Sequence, residues 1–266
     1  MQQATDFLDE TKTLSDLIAP LDDSDYLQET AFKAWTIDMV LRHLHFWNKG
    51  ALLSVTDETA FEALVVDLTN ALRDGALPAH EEAHFNGLSG RSLRSEWLQL
   101  AHKTADLFAS TDPGLRLKWV GPSMSARSSI TARLMETWAH GQEVYDLLGV
   151  TRQNADRIRN IVVLGVNTYG WTFANRKQPV PEPMPYLLLT APSGEEWTFG
   201  DEQADERIIG LAEEFCQVVT QVRNIADTSL SVTGTNAAAW MEQAQCFAGP
   251  PNPPPAPGTR FMRPRN

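Results

Sequence analysis

The sequence has few cysteines and no long hydrophobic run. Only Cys216 and Cys246 occur among 266 residues, which excludes a disulfide-stabilised scaffold, and their spacing matches no zinc-binding motif. No stretch approaches the roughly 20 consecutive apolar residues that cross a bilayer. The polar segment 1–10 lacks the basic start and the apolar stretch of a secretory signal. We therefore expect a cytoplasmic protein with reduced cysteines and no membrane partner.

Positive charge is also scarce. The chain has 22 Lys and Arg against 34 Asp and Glu, so its formal net charge is -12. A surface of this sign repels phosphate backbones, which argues against nucleic acid as a partner. The sequence contains neither a GxSxG motif nor a glycine-rich phosphate loop, the local signatures of serine hydrolases and nucleotide-binding enzymes. We expect a small-molecule substrate, and the sequence leaves the oligomeric state open, a homodimer included.

The first two thirds of the chain are predicted to be helical. Their apolar residues recur at spacings of three and four, which is typical of helices that bury one face. Thr36 is the expected N-cap of the second helix, and Thr56 that of a third helix ending at Gly75. A fifth long helix is expected over 126–149 and a sixth over 156–176.

The pattern changes after a proline-rich run at 179–185, which is the expected linker. Segments 186–190 and 196–199 flank turn residues and predict a β-hairpin, and a helix is expected over 205–223. The fold class is therefore mainly α with a smaller C-terminal α/β domain. The expected domains are a helical bundle over 1–178, a small α/β domain over 184–249 and a proline-rich tail over 250–266.

Glu136 and His140 are the first candidate functional residues. Four positions apart on a helix, they differ by about 40° around its axis, so both side chains can reach one atom. An imidazole and a carboxylate on one face can supply half of a metal site, although by spacing alone such a pair is more often a partly exposed polar pair. Arg133, one turn earlier, is interpreted as an ion-pair partner of Glu136.

Other histidines compete for the remaining half of the site. His80 and His84 have the same spacing as Glu136 and His140, but their polar segment favours a solvated surface. His43 and His45 both lie on the second helix, about 200° apart, so only one of them can join a shared metal. Periodicity alone does not choose between them.

Two segments resemble a known family. The segment 35–44 is similar to the W-T-x-x-x-V-x-x-H-L opening of the metal-binding helix in the DinB-like superfamily. The segment 133–140 resembles the R-x-x-E-x-x-x-H helix of the mycothiol-dependent maleylpyruvate isomerase branch of that superfamily. The C-terminal part, Thr233-Gly234 and 240–251, is similar to an uncharacterised branch sometimes labelled wyosine base formation.

The resemblance implies a DinB-like four-helix bundle that holds one divalent metal through His43, Glu136 and His140, and it selects His43 over His45. It also implies that the metal activates a low-molecular-weight thiol. Nitrogen and oxygen donors with an open position suit zinc, with nickel or iron as alternatives. Glu136 is either a ligand or a general base acting on metal-bound water.

The expected function is a metal-dependent isomerase or thiol transferase. In this interpretation a metal-activated thiol or water attacks a small electrophilic substrate. Two alternatives remain at this point, a metal-dependent hydrolase that needs no thiol and a non-catalytic protein that binds a metal or a ligand.

Overall fold

The computed structural model describes residues 1–73 and 76–264. The chain divides into two compact units, Met1–Leu147 and Leu148–Asn266. Among the described residues, none of the helices combines the length and the apolar character that a bilayer crossing requires.

The first unit is a helical bundle. Its helices are α1 (Gln2–Ile18), α2 (Ile37–Thr56), α3 (Glu58–Arg73), α4 (Leu77–Ala83), α5 (Gly90–Ser110) and α6 (Ala126–Leu148). A short antiparallel ribbon of β1 (Arg116–Leu117) and β2 (Met124–Ser125) leads into α6. The bundle core is built from large side chains on α1, α2, α5 and α6 that are shielded from solvent, among them Phe7, Leu41, Trp97 and Trp138. Their burial supplies the main stabilisation of this unit.

The ends of α2 show how local sequence sets this helix in place. The Thr36 side chain accepts a hydrogen bond from the Met39 amide, as expected of an N-cap. The prediction that Thr56 caps the next helix is wrong, because α2 continues through Thr56. Asp57 caps α3 instead, with its carboxylate accepting from the Ala60 amide at 3.0 Å. The predicted helix end at Gly75 lies outside the described residues.

The second unit combines short helices with a small sheet. Its elements are α7 (Arg159–Asn167), α8 (Tyr169–Ala174), β3 (Tyr186–Thr190), β4 (Glu196–Phe199), β5 (Arg207–Leu211), α9 (Ala212–Val219), β6 (Ser231–Thr233) and α10 (Thr235–Met241). The sheet has the strand order β4-β3-β5-β6 within the described residues. β3 pairs antiparallel with β4 and parallel with β5, and β6 pairs antiparallel with β5. The predicted β-hairpin is confirmed.

Two predicted helices of this unit are wrong in part. Residues 207–211 form strand β5 rather than the start of a helix, because Ile208 is buried between β3 and β6 and pairs with both. The pairing of β5 with its two neighbouring strands outweighs the helical spacing of the apolar residues in this segment. The single helix expected over 156–176 is interrupted at Thr168, between α7 and α8.

The division between the units falls earlier than the predicted boundary at residue 178. The reason is that α7 packs on α9 in the second unit, through Gly165. A Cβ atom at Gly165 would lie 2.9 Å from Phe215 Cε1 and 3.1 Å from Val219 Cγ2. The two helices therefore approach as closely as a glycine allows, which ties α7 to the C-terminal unit.

Replacing Gly165 with alanine is expected to destabilise the second unit by about 1–3 kcal/mol, since the added methyl group overpacks the contact with α9. Chemical denaturation of the purified protein measures the change. Gly170→Ala on α8 is the matched control, because its Cβ would lie 4.0 Å from Val180. Equal free energies of unfolding for the two variants would contradict close packing at Gly165.

Candidate metal centre

Three side chains from two distant stretches of the chain meet in the first unit. His43 comes from α2, and Glu136 and His140 come from α6. One ligand atom of each lies within 4.8 Å of the others. Glu136 Oε2 is 3.3 Å from His140 Nε2 and 3.7 Å from His43 Nε2. The carboxylate therefore lies between two imidazole nitrogens that point toward a common centre.

Glu81 of α4 orients His43 through a hydrogen bond at its Nδ1 atom. Its Oε1 accepts a hydrogen bond from His43 Nδ1 at 2.8 Å, and its side chain is only 2% exposed. With Nδ1 occupied in this way, Nε2 is the nitrogen that faces Glu136 and His140. A carboxylate that holds the far side of an imidazole is a common outer partner of metal-binding histidines.

The neighbouring carboxylates act differently on the two histidines of the cluster. Burial lowers the pKa of His43, but the carboxylates of Glu81 and Glu136 outweigh burial and raise this pKa to about 9. Two carboxylates thus stabilise positive charge at this position when no metal is bound. Burial lowers the pKa of His140, which favours a neutral imidazole with an available lone pair.

Glu136 remains ionised within this cluster. Burial raises the pKa of Glu136, but the neighbouring imidazoles of His140 and His43 outweigh burial and hold the pKa well below its ordinary value. Its side chain is 22% exposed, more than the histidine side chains at 11% and 12%. The cluster is therefore accessible on the side of Glu136.

Two aromatic rings wall the site on the side of His140. The Trp35 ring stacks on the His140 imidazole at 5.6 Å with an interplanar angle of 12°, and Phe32 meets it edge-on at 5.1 Å. Both rings belong to a turn before α2 in which Lys33 and Ala34 have left-handed backbone, with φ of 52° and 54°. The Thr30 amide closes this turn on the Trp35 carbonyl at 2.8 Å. The turn is what places these rings against the histidine.

Most of the first unit matches a known protein family. The model of the mycothiol maleylpyruvate isomerase N-terminal domain matches residues 7–145, which include His43, Glu136 and His140. The chain belongs to this family. The match confirms the family resemblance expected from segments 35–44 and 133–140.

Relatives cover nearly the whole chain, and solved structures share its fold. Uncharacterized proteins from two strains of Mycobacterium tuberculosis are 36% identical over 243 residues, 91% of this chain and 93% of theirs. Crystal structures of the mycothiol-dependent maleylpyruvate isomerase, and of a histidine-to-alanine mutant of it, superpose with TM-scores of 0.51 and 0.52 at 14% identity. They cover 82% of this chain and 87% of theirs. The predicted DinB-like fold with a smaller C-terminal α/β part is confirmed.

The structure separates His43 from His45. Within the family-matched segment, His45 packs edge-on against Phe85 at 4.9 Å, away from Glu136 and His140. Burial lowers the pKa of His45 to about 4, and its Nδ1 has no hydrogen-bond partner among the described residues. The structure therefore groups His43, and not His45, with Glu136 and His140, a distinction that periodicity alone did not make.

The rival pair belongs to the same helix as Glu81. The rings of His80 and His84 lie 4.8 Å apart, and His84 Nδ1 bonds the His80 carbonyl at 2.9 Å. In the described part of the chain these two histidines gather no third metal-binding side chain. The prediction of a solvated surface missed Glu81, although a helical spacing of this segment puts Glu81 on one face with Leu77 and His84.

Arg133 differs from its predicted role. Its guanidinium makes no ion-pair contact with Glu136 or another carboxylate of the described residues. It lies instead over the rings of Trp47, at 5.8 Å, and Trp119, at 5.3 Å. Trp119 follows β1 in the connection to β2, a position that the helical pattern does not predict. The contact with Arg133 therefore depends on tertiary structure.

Proposed function

We propose that this protein is a metal-dependent enzyme of the thiol-using type, an isomerase or a thiol transferase. His43, Glu136 and His140 are its proposed ligands to one divalent cation. The observation that carries the proposal is the convergence of these three side chains, with Glu81 holding His43 so that Nε2 faces the centre. Membership of the mycothiol maleylpyruvate isomerase N-terminal domain family supports the same interpretation.

The donor set fits a catalytic ion. Two imidazole nitrogens and one carboxylate leave a tetrahedral ion with one open position, in contrast to the four protein ligands of structural zinc sites. Zinc suits this set, and nickel and iron are the alternatives that its nitrogen and oxygen donors also accept. A divalent cation bound there would lower the pKa of a coordinated thiol or water and supply a nucleophile at neutral pH.

The side chains around the site have different proposed roles. Because the pKa of Glu136 is held well below its ordinary value, Glu136 is a weak base, which favours the role of ligand over that of general base. Glu81 positions His43, and the rings of Trp35 and Phe32 keep water away from the side of His140. The open side at Glu136 is where we place the thiol and the electrophile.

The proposed isomerisation balances without an added oxidant or reductant. The sulfur of a thiol such as mycothiol adds to the β-carbon of a double bond conjugated with a carbonyl, and the π electrons move to the carbonyl oxygen. The former double bond, now single, rotates. When the electrons return, the C–S bond breaks, the thiolate leaves and the double bond re-forms in the other geometry. Protonation of the α-carbon instead leaves the thioether, which is the transferase product.

The test is turnover of a conjugated electrophile by the zinc-loaded protein with and without thiol. Maleylpyruvate is the first substrate to try, because the structural relatives carry its name. We expect conversion that depends on both zinc and mycothiol, followed by the change in ultraviolet absorbance as the double bond isomerises. Conversion that proceeds equally without any thiol would contradict the thiol step and favour hydrolysis by activated water.

A further inference from the structure

A buried positive charge in the first unit has no partner of its own. Arg133 is 5% exposed, and its Nε and Nη1 atoms are buried with no hydrogen-bond partner in the described residues. Burying a guanidinium without satisfying its donors is costly, and most folded proteins avoid it. Such a group marks a place where a ligand completes the hydrogen bonding.

The surroundings of Arg133 stabilise the cation without neutralising it. The faces of the Trp47 and Trp119 rings attract the guanidinium through their π electrons. Glu136 acts on Arg133 only through space, since no ion-pair contact joins them in the described structure. The indole rings interact with the guanidinium through their π electrons and accept no hydrogen bond from Nε or Nη1, so these two donors remain available to an anion.

Arg133 lies beside the proposed metal centre. It precedes Glu136 by three residues on α6, which places both side chains on neighbouring parts of one helix face. Trp47, which the guanidinium covers, also contacts the His43 ring at 6.1 Å. Trp119 lines a groove of about 430 Å³ together with Phe61 and Val65. Arg133 does not line this groove itself, but the Trp119 ring that it contacts does, and Trp47 connects it to His43.

We propose that Arg133 is the anion-recognition residue of this site and binds a carboxylate group of the small-molecule substrate. The planar fork of a guanidinium matches the two oxygens of a carboxylate, which a lysine ammonium does not. This inference rests on the proposed function, because it assigns Arg133 to the substrate of the neighbouring metal centre. Arg133 then determines specificity by favouring electrophiles that carry a carboxylate.

The experiment measures binding of succinate and of its uncharged diamide by isothermal titration calorimetry, on metal-free and on zinc-loaded protein. Wild type is expected to bind succinate in both forms and to discriminate against the diamide. Arg133→Met is expected to weaken succinate binding by about 10- to 100-fold. Arg127→Met is the matched control, because Arg127 is an exposed arginine on the same helix and its loss leaves succinate affinity unchanged.

Further variants and the metal content separate the possible failures. Arg133→Lys keeps the charge but loses the fork, so it is expected to bind succinate with intermediate affinity, and it serves if Arg133→Met does not fold. Equal succinate affinity in wild type and in the folded Arg133 variants overturns the inference, whatever their thermal stability. So does wild-type binding of succinate no tighter than the diamide. Zinc content of the same samples tests the proposed function separately, because Arg133 is not a proposed ligand.

Discussion

Replacing His140 with alanine is expected to abolish stoichiometric metal binding. Wild type is expected to hold about one divalent ion per chain, and the variant to bind it more than about 100-fold more weakly. The physical reason is that the variant retains only His43 and Glu136, and two ligands cannot enclose the ion. Elemental analysis after equilibrium dialysis against zinc measures the stoichiometry.

His102→Ala is the matched control for this variant. His102 lies exposed on α5, outside the cluster, so its removal is expected to leave zinc stoichiometry at the wild-type value. If His140→Ala retained the metal content of wild type, His140 would be excluded as a ligand. Measuring circular dichroism on both variants verifies that they remain folded.

Replacing Glu81 with glutamine is expected to weaken zinc affinity by about 10- to 100-fold, although Glu81 is not itself a proposed ligand. Glutamine has the shape of glutamate but no charge, so the His43 Nδ1 bond weakens and His43 becomes a poorer donor at Nε2. Zinc affinity is measured by competition with a chromophoric chelator.

The neighbouring residue provides a close control for Glu81. Glu82 is 63% exposed and pairs with Arg42 at 3.6 Å, so Glu82→Gln removes the same charge one position away. Its zinc affinity is expected to match wild type. Equal losses in the two variants would show a general effect of net charge and would contradict a specific role of Glu81 behind His43.

Much of the bundle follows from local sequence. Apolar spacing predicts α2 and α6, and the hydroxyl of Thr36 predicts where α2 begins. The spacing of Glu136 and His140 predicts that they share a helix face, which the structure confirms. Each of these features depends on residues that are only a few positions apart, so the local sequence predicts it.

The remaining features depend on partners that lie far apart in the chain. The helical face of α4 allows Glu81 to point inward, but only the approach of α2 makes His43 its partner. Likewise, the pair of rings around Arg133 joins α2 to the connection between β1 and β2. The strand β5 forms because β3 and β6 lie on either side of it, against its local helical spacing. Spacing in one sequence carries no signal for such pairs.

Anomalous diffraction from crystals grown with zinc is the most direct test of the proposed metal centre. The structure predicts one strong peak about 2.0–2.2 Å from His43 Nε2, His140 Nε2 and a carboxylate oxygen of Glu136, with a further position open to solvent. A peak elsewhere in the chain, or zinc-soaked crystals in which these three side chains hold no ion, would contradict the proposal.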